Sequence, residues 1–174
     1  MERVIQVINR MEADGVIDNY AIGGGIASVY YLEPYETDDI DVFIPAVAVA
    51  VGHAGLISLE PIYGYLKNLG YLPVREGVLI EDWLVQFLPT FESIQEEAIL
   101  QSRHVMFGKT ETKIFAPEYL AAELLRSGRG KDHARVLDLL EGKHVDMREF
   151  RKIVSRHRLA NKWKTFARRF QLEE

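Results

Sequence analysis

The sequence predicts an α+β fold, in which an N-terminal part that mixes helices and strands is followed by a C-terminal part made of helices alone. Up to residue 116, apolar residues recur either at helical spacing or in short β-branched runs that end at Gly or Pro. From Pro117 almost to the last residue, the apolar spacing is helical throughout. We therefore divide the 174 residues into an α/β domain, residues 1–116, and a helical subdomain, residues 117–174.

The α/β domain alternates helices and strands from its start. Apolar residues from Val4 to Met11 recur at helical spacing and Gly15 follows them, which predicts a first helix over residues 2–14. The apolar run 19–22 stops at three glycines, which is typical of a strand that enters a turn. The same criteria predict helices over 26–32, 57–69 and 93–102, and strands over 39–44, 71–75, 78–80, 83–88, 104–107 and 112–115.

Turn and cap residues set the ends of several elements. Ser93 has Glu96 three positions later, the spacing of a capping box, which predicts Ser93 as the N-cap of its helix. Glu76-Gly77 and Gly108-Lys109 are predicted hairpin turns, and Pro61 is expected to interrupt the helix around it. After Pro117, apolar spacing predicts helices over 118–126, 131–141, 147–158 and 159–170.

Composition excludes several classes of protein. Apolar residues make up 48% and charged residues 27%, as in an ordinary globular domain. The chain has no Cys, which excludes disulfides, thiolate nucleophiles and Cys-ligated zinc. The start is amphipathic and charged, unlike a secretory signal, and the longest apolar run, around 43–51, is too short to span a bilayer. We expect a cytoplasmic protein without a membrane anchor.

Two short motifs of the α/β domain have the residue types that a phosphate site needs. Gly23, Gly24 and Gly25 lie at a strand-to-helix turn, where glycines let the backbone approach a phosphate and a helix start offers N–H groups. Asp39 and Asp41 are two positions apart on the next strand, so their side chains project from one face. Such carboxylates repel each other unless a cation lies between them, and their hard oxygens suit Mg²⁺.

Each motif alone is also common in ordinary structure. Most glycine clusters are only turns, and Asp38, Asp39 and Asp41 are also consistent with a solvated acidic edge. The motifs occur together around one short helix, and acids occupy a strand otherwise suited to burial. That conjunction favours the functional interpretation.

Two segments carry a resemblance to a known family. Residues 21–44, AIGGGIASVYYLEPYETDDIDVFI, resemble the nucleotidyltransferase superfamily signature of apolar-Gly-Gly, a spacer and Asp-apolar-Asp. The spacer is most similar to the branch that contains the AbiEii-type toxins and their small stand-alone relatives. Residues 117–141, PEYLAAELLRSGRGKDHARVLDLLE, resemble that branch's helical motif through Arg129, Lys131 and Asp132.

This resemblance implies a mixed β-sheet flanked by helices, with an appended helical bundle. It implies that Asp39 and Asp41 hold Mg²⁺ and that Lys131 and Asp132 join them in catalysis. The nucleotide-binding positions that it implies are Gly23, Gly24, Gly25, Thr37 and Gln86. The implied reaction transfers a nucleoside monophosphate from an NTP to a hydroxyl of an RNA, such as tRNA, or of a protein. Asp132 also has a simpler interpretation, because an acid in the first turn of a helix favours the helix dipole.

The sequence departs from the family pattern at two places. Active members carry a third carboxylate on a neighbouring strand, and Gln86 stands where we expect it. An amide can ligate through its carbonyl oxygen but cannot serve as a base. A lysine expected in the helix after Pro117 is also absent, with Glu123 and Leu124 near its place. The alternative is therefore a catalytically lapsed homologue that binds nucleotide, RNA or a partner protein within a toxin–antitoxin system.

Charge is distributed unevenly along the chain. Residues 148–170 hold nine Lys and Arg against Glu149 alone, whereas the whole chain has a formal net charge of −5. The aromatic and aliphatic residues of this segment recur at core spacing, so the basic residues occupy the remaining face. This face is predicted to bind RNA phosphates or to match the acidic N-terminal part as a lid.

Overall fold

The computed structural model describes residues 1–32, 37, 39–46, 50–51 and 57–172. Its helices are α1 (Glu2–Ala13), α2 (Gly24–Tyr31), α3 (Glu60–Asn68), α4 (Ser93–Leu100), α5 (Pro117–Ser127), α6 (Gly130–Glu141), α7 (Met147–Arg156) and α8 (Ala160–Phe170). Its strands are β1 (Ala21–Ile22), β2 (Asp39–Pro45), β3 (Ala50–Val51), β4 (Ile57–Ser58), β5 (Pro73–Val74), β6 (Gly77–Ile80), β7 (Trp83–Thr90), β8 (Arg103–Phe107) and β9 (Thr110–Ile114). None of these helices is long and apolar enough to cross a membrane.

Seven of the described strands form one mixed sheet in the order β5-β6-β7-β2-β1-β9-β8. The central strand β2 runs parallel to β7 and antiparallel to β1. Along β2, Ile40, Val42 and Ile44 are buried, whereas Asp39 and Asp41 on the opposite face are partly exposed. The alternation of side chains along a strand therefore separates a core face from a polar face at the middle of the sheet.

The predicted α+β fold is confirmed, with helices packed against the mixed sheet and a helical C-terminal part. Contacts join α1 to β9, and α2 and α4 to β2. In the helical part, α5 contacts α6, α7 and α8, and it also contacts α2 and α4. One continuous cluster of buried apolar side chains extends through both parts of the chain.

The apolar stripe of the last two helices faces inward, as its spacing predicts. Phe150, Trp163 and Phe166 are buried, and the Phe150 and Trp163 rings pack edge to face with centroids 5.1 Å apart. The nine Lys and Arg of residues 148–170 are all exposed. The charge asymmetry of the sequence is therefore an asymmetry of the protein surface.

Three local predictions are wrong. Ser93 does not cap α4: the N-cap position is Glu92, and the Ser93 hydroxyl instead bonds His157 Nδ1 at 3.0 Å. Residues 57–58 form a strand with residues 50–51, so the next helix begins only at Glu60. Pro61 stands in the first turn of that helix, where a missing N–H costs nothing, rather than interrupting it.

The turn between β5 and β6 also differs by one residue from its prediction. Val74 pairs with Gly77, so the turn consists of Arg75 and Glu76, and Arg75 adopts a φ of 54°. Gly77 belongs to the strand because a Cβ there would lie 2.5 Å from the Val85 carbonyl oxygen. The shift places Glu76 at the tip of the turn.

Candidate functional site

A cavity of about 740 Å³ lies between the polar face of β2 and β7 and the junction of α5 with α6. We call it the main cavity, and we call residues 125–131 the α5–α6 corner. The strands contribute carboxylates to its wall, and the α5–α6 corner contributes cationic side chains. A volume of this size lies within the usual range of small-molecule sites.

Asp39 and Asp41 stand side by side in this wall, as their spacing predicts. Burial, and after it the neighbouring Asp39, raises the pKa of Asp41 to about 6, although the nearby cations oppose the shift. The Thr37 hydroxyl donates to Asp39 Oδ1 at 2.7 Å and fixes that carboxylate. Asp38, the third acid of the sequence motif, lies outside the described residues.

The three glycines hold the backbone against these acids. The Gly23 N–H donates to the Asp41 carbonyl oxygen at 3.0 Å, and α2 begins at the next residue. Gly24 has a φ of 52°, and a Cβ there would lie 1.8 Å from Asp41 Oδ2. A Cβ on Gly25 would lie 2.3 Å from the Thr37 hydroxyl oxygen. Any other residue would displace one of the carboxylates or the threonine that orients the other.

Three cations face the acids from across the main cavity. Arg129, Lys131 and Arg135 all line it, and all three lower the pKa of Asp41 by their charge. The sequence motif indicated Arg129 and Lys131 only. Arg135 lies one helical turn after Lys131, so it presents its side chain from the same face of α6.

Asp132 is not part of the cavity wall. It is fully buried, and its Oδ2 accepts hydrogen bonds from the Ser127 hydroxyl and from Arg129 Nε, both at 2.6 Å. Arg135 lies 3.7 Å from the other carboxylate oxygen. These contacts give Asp132 a structural role: it fixes the α5–α6 corner and orients two of the three cations.

Gln86, the residue that stands where the sequence resemblance leads us to expect a third carboxylate, lies next to Asp41. The parallel register of β2 and β7 pairs these two residues directly, so their side chains share a face. The Gln86 amide donates to Glu76 Oε1 at 3.5 Å, and Glu76 lines the same cavity. No local pattern in the sequence indicates Glu76, because its approach to the cavity depends on how the β5–β6 turn lies beside β7.

The place of the expected lysine in α5 is occupied by an ion pair. Arg126 donates two hydrogen bonds to Glu123, at 2.7 and 2.8 Å, and Gln95 donates a third at 2.9 Å. All three side chains line the main cavity. The charge of Arg126 is thus largely balanced by Glu123, and the net positive charge of the α5–α6 corner comes from the residues that follow it.

The main cavity therefore brings together most of the residues that the sequence indicated. These are Gly24, Gly25, Asp39, Asp41, Gln86 and Lys131. Gly23 and Thr37 lie behind the wall, against Phe43 and Asp39 respectively. In the described part of the chain, no three His, Cys, Asp or Glu side chains come close enough together to hold a metal ion.

No protein-family model and no curated protein sequence matches the chain. Solved structures do match it. The structure resembles an antigenic nucleotidyltransferase-like protein from Paracoccidioides brasiliensis, with a TM-score of 0.57 and 17% identity over 99% of this chain and 92% of that one. It also resembles ANT(2'')-Ia, solved in complex with adenylyl-2''-tobramycin, with a TM-score of 0.53 and 14% identity over 91% of this chain and 99% of that one. The chain therefore has a nucleotidyltransferase-like fold.

Proposed function

We propose that this protein binds a magnesium–nucleoside triphosphate complex in the main cavity and transfers the nucleoside monophosphate to an acceptor hydroxyl, with pyrophosphate leaving. One observation carries the proposal: paired carboxylates and three cations face each other across a cavity beside a glycine turn. Carboxylates suit the metal, and the cations and helix N–H groups suit the phosphates. The likeness of the fold to nucleotidyltransferases supports the same assignment.

The donor set of the main cavity fits Mg²⁺. Asp39 and Asp41 supply hard carboxylate oxygens. Burial, and after it the charge of Asp39, raises the pKa of Asp41, and a cation between the two carboxylates would favour its charged form. Gln86 adds a neutral amide oxygen beside Asp41. When bound, Mg²⁺ would neutralise charge on the triphosphate and polarise the phosphorus that is attacked.

The protein's own groups would hold the rest of the triphosphate. The backbone N–H groups at the start of α2 and the positive end of its dipole lie beside Asp41. Lys131 contributes a point charge from α6, and Arg129 contributes a guanidinium that Asp132 keeps oriented. The N–H groups of α2 would meet the phosphates beside Asp41, and Lys131 and Arg129 would meet them from the α5–α6 side of the cavity.

A second candidate function is a lapsed homologue that binds the nucleotide without turnover. Gln86 favours it, because an amide in register with Asp41 cannot take the proton of an attacking hydroxyl. Glu76 favours retained activity, because it places a carboxylate in the same cavity within hydrogen-bond reach of that amide. Replacing Glu76 by Gln separates the two candidates: an active enzyme loses turnover and keeps nucleotide affinity.

We assign the acceptor to the basic face of α7 and α8. Most of its cations point into solvent, although Arg156 pairs with Glu97 and Lys152 with Glu149. The buried apolar stripe beneath leaves a face that suits a phosphate backbone, so RNA, with tRNA as the first choice, is favoured over a protein acceptor. The motif similarity to AbiEii-type toxins supports a role within a toxin–antitoxin system, in which the partner protein would be an antitoxin.

Calorimetric titration with ATP in the presence of Mg²⁺ tests the nucleotide site. We expect Asp41→Asn to weaken binding at least about tenfold, or about 1.4 kcal/mol. Asp18→Asn, a matched change at an exposed position, should leave binding unchanged. Equal affinities of both variants and of the unaltered protein would contradict the proposal.

Incubation with labelled NTPs, Mg²⁺ and total RNA or cell lysate tests the transfer step. Label that enters RNA and disappears with Asp39→Ala supports the enzyme. Nucleotide binding without transfer to any acceptor supports the lapsed homologue.

A further inference from the structure

A second cavity, of about 370 Å³, lies between α8 and the far side of the α5–α6 corner. Leu125 and Gly128 of the corner line it, whereas Arg126, Ser127 and Arg129 of the same corner line the main cavity. None of the described residues that line one cavity lines the other. The two spaces lie back to back, and the second is not an extension of the proposed nucleotide site.

The polar side chains around the second cavity are suited to an anion. Lys162 and Arg169 of α8 lie on its rim with His133 of α6, and no Asp or Glu is among the described residues that line it. Lys162 donates one of its three protons to the Arg126 carbonyl oxygen. Arg169 lies 5.3 Å from the centroid of the Phe170 ring, a contact with the ring face that leaves the N–H edges of the guanidinium for a ligand.

The floor of the second cavity is apolar. Leu125 and Phe166 are buried side chains that form it, and His133 meets the Phe166 ring edge-on with centroids 5.4 Å apart. The volume lies near the lower end of the range for small-molecule sites and exceeds what a lone ion needs. An occupant that uses both parts of the cavity has an anionic group and an apolar ring.

We propose that the second cavity is a binding site for a small aromatic anion, whose anionic group lies between Lys162 and Arg169 and whose ring lies on Leu125 and Phe166. A phosphate and a carboxylate share this chemistry. Arg169 favours the phosphate, because the guanidinium fork matches two phosphate oxygens. The site is independent of Mg²⁺ and of the transfer reaction.

Calorimetric titration of the full chain with phenyl phosphate, benzoate and inorganic phosphate tests the site without Mg²⁺. We expect phenyl phosphate to bind at least about tenfold more tightly than inorganic phosphate, because only the former contacts the floor. A lower but measurable affinity for benzoate would show that the anion is not restricted to phosphate. Equal, weak binding of phenyl phosphate and inorganic phosphate would overturn the proposal.

Variants locate the bound probe. Arg169→Glu reverses a charge at an exposed rim position, and we expect it to abolish phenyl phosphate binding. Arg151→Glu makes the same change on α7, outside the second cavity, and should leave binding unchanged. Lys131→Ala removes a cation of the main cavity and should also leave it unchanged. Loss of binding in Lys131→Ala with retention in Arg169→Glu would place the probe in the main cavity and overturn the proposal.

Discussion

The glycine turn and the acidic strand act on each other directly at the scale of single residues. Gly24 takes a left-handed backbone conformation, and the space where its Cβ would be is filled by Asp41 Oδ2. The bond from the Gly23 N–H to the Asp41 carbonyl holds the same two segments together through the backbone. The position of the Asp41 carboxylate thus depends on the absence of a side chain at Gly24, seventeen residues earlier in the chain.

Gly24→Ala tests this dependence. We expect a cost of about 1–2 kcal/mol in the free energy of unfolding from the left-handed backbone alone. Displacement of Asp41 should also weaken binding of Mg-ATP at least about tenfold. Gly15→Ala is the matched control, because Gly15 has a φ of 73° and no atom within 4 Å of the added Cβ. If Gly15→Ala weakens Mg-ATP binding as much as Gly24→Ala does, the close approach of Gly24 to Asp41 does not determine nucleotide binding.

Asp132 is predicted to stabilise the fold rather than to take part in the transfer reaction. Its removal takes a fully buried carboxylate away from Arg135, which lies 3.7 Å from it, and takes away the acceptor of the Ser127 hydroxyl. We expect Asp132→Ala to lower the free energy of unfolding by about 3–5 kcal/mol, measured by urea denaturation. Asp18→Ala, at an exposed position, should change it by less than about 0.5 kcal/mol. Unchanged stability with lost transfer activity would instead make Asp132 catalytic.

The site residues that the sequence predicts are those that lie close together along the chain. Gly24, Asp39 and Asp41 lie on adjacent elements, so their spacing alone predicts that they meet. Arg135 and Glu76 reach the main cavity through the packing of α6 and the register of β7 with its neighbours. No sequence pattern near either residue indicates that it reaches the cavity, because Arg and Glu are common on any protein surface.

At the scale of elements, Tyr20 connects α1 to the sheet. Its ring is fully buried, and its hydroxyl bonds the Asn9 side chain of α1 and the Thr112 hydroxyl of β9, the latter at 2.8 Å. Burial raises the pKa of Tyr20 to about 12. The neutral phenol is therefore built into the junction of the first helix with the strand that it packs against.

The raised pKa of Tyr20 gives the protein a predicted alkaline limit. In the unfolded chain this phenol ionises near pH 10, about two units earlier than in the fold. The contribution of the neutral phenol to the free energy of unfolding is thus complete below pH 10 and is lost as the pH rises toward 12. We expect Tyr20→Phe to cost about 1–3 kcal/mol at neutral pH, because Asn9 and Thr112 lose their partner, and to flatten this alkaline decline. Thermal denaturation across this pH range measures both effects, and a decline that persists in Tyr20→Phe would contradict them.

Helices were easier to predict than turns for a physical reason. The periodic burial that defines α1 or α8 extends over three turns, so one misplaced residue leaves the pattern intact. The β5–β6 turn consists of two residues only, and the general preference of glycine for turns predicts Gly77 as one of them. Instead Arg75 takes the positive φ, and Gly77 is needed where the strand passes the Val85 carbonyl. A contact across the sheet outweighed the local preference.

The whole molecule has two electrically different surfaces. The basic face of α7 and α8 is carried by helices whose apolar sides are buried in the shared core, so the two helices that present its cations are fixed relative to each other. Arg151 and Lys164 lie close together there, on the rim of one small groove between α7 and α8. Closely spaced cations that bind a phosphate backbone release its condensed counterions, which makes the affinity depend on salt.

Arg151→Glu combined with Lys164→Glu tests whether this surface binds RNA. We expect the affinity for unfractionated tRNA to fall, and the slope of log affinity against log salt to become shallower by about 1–2, since roughly one phosphate contact is lost per cation. Lys67→Glu with Lys109→Glu changes the net charge equally on exposed positions of the α/β domain and is the matched control. If both double variants lose affinity to the same extent, the long-range field of the molecule explains the binding. A loss confined to the first pair means that the two helices contact the RNA, because a local contact depends on where the charge lies and a distant field depends mainly on its sum.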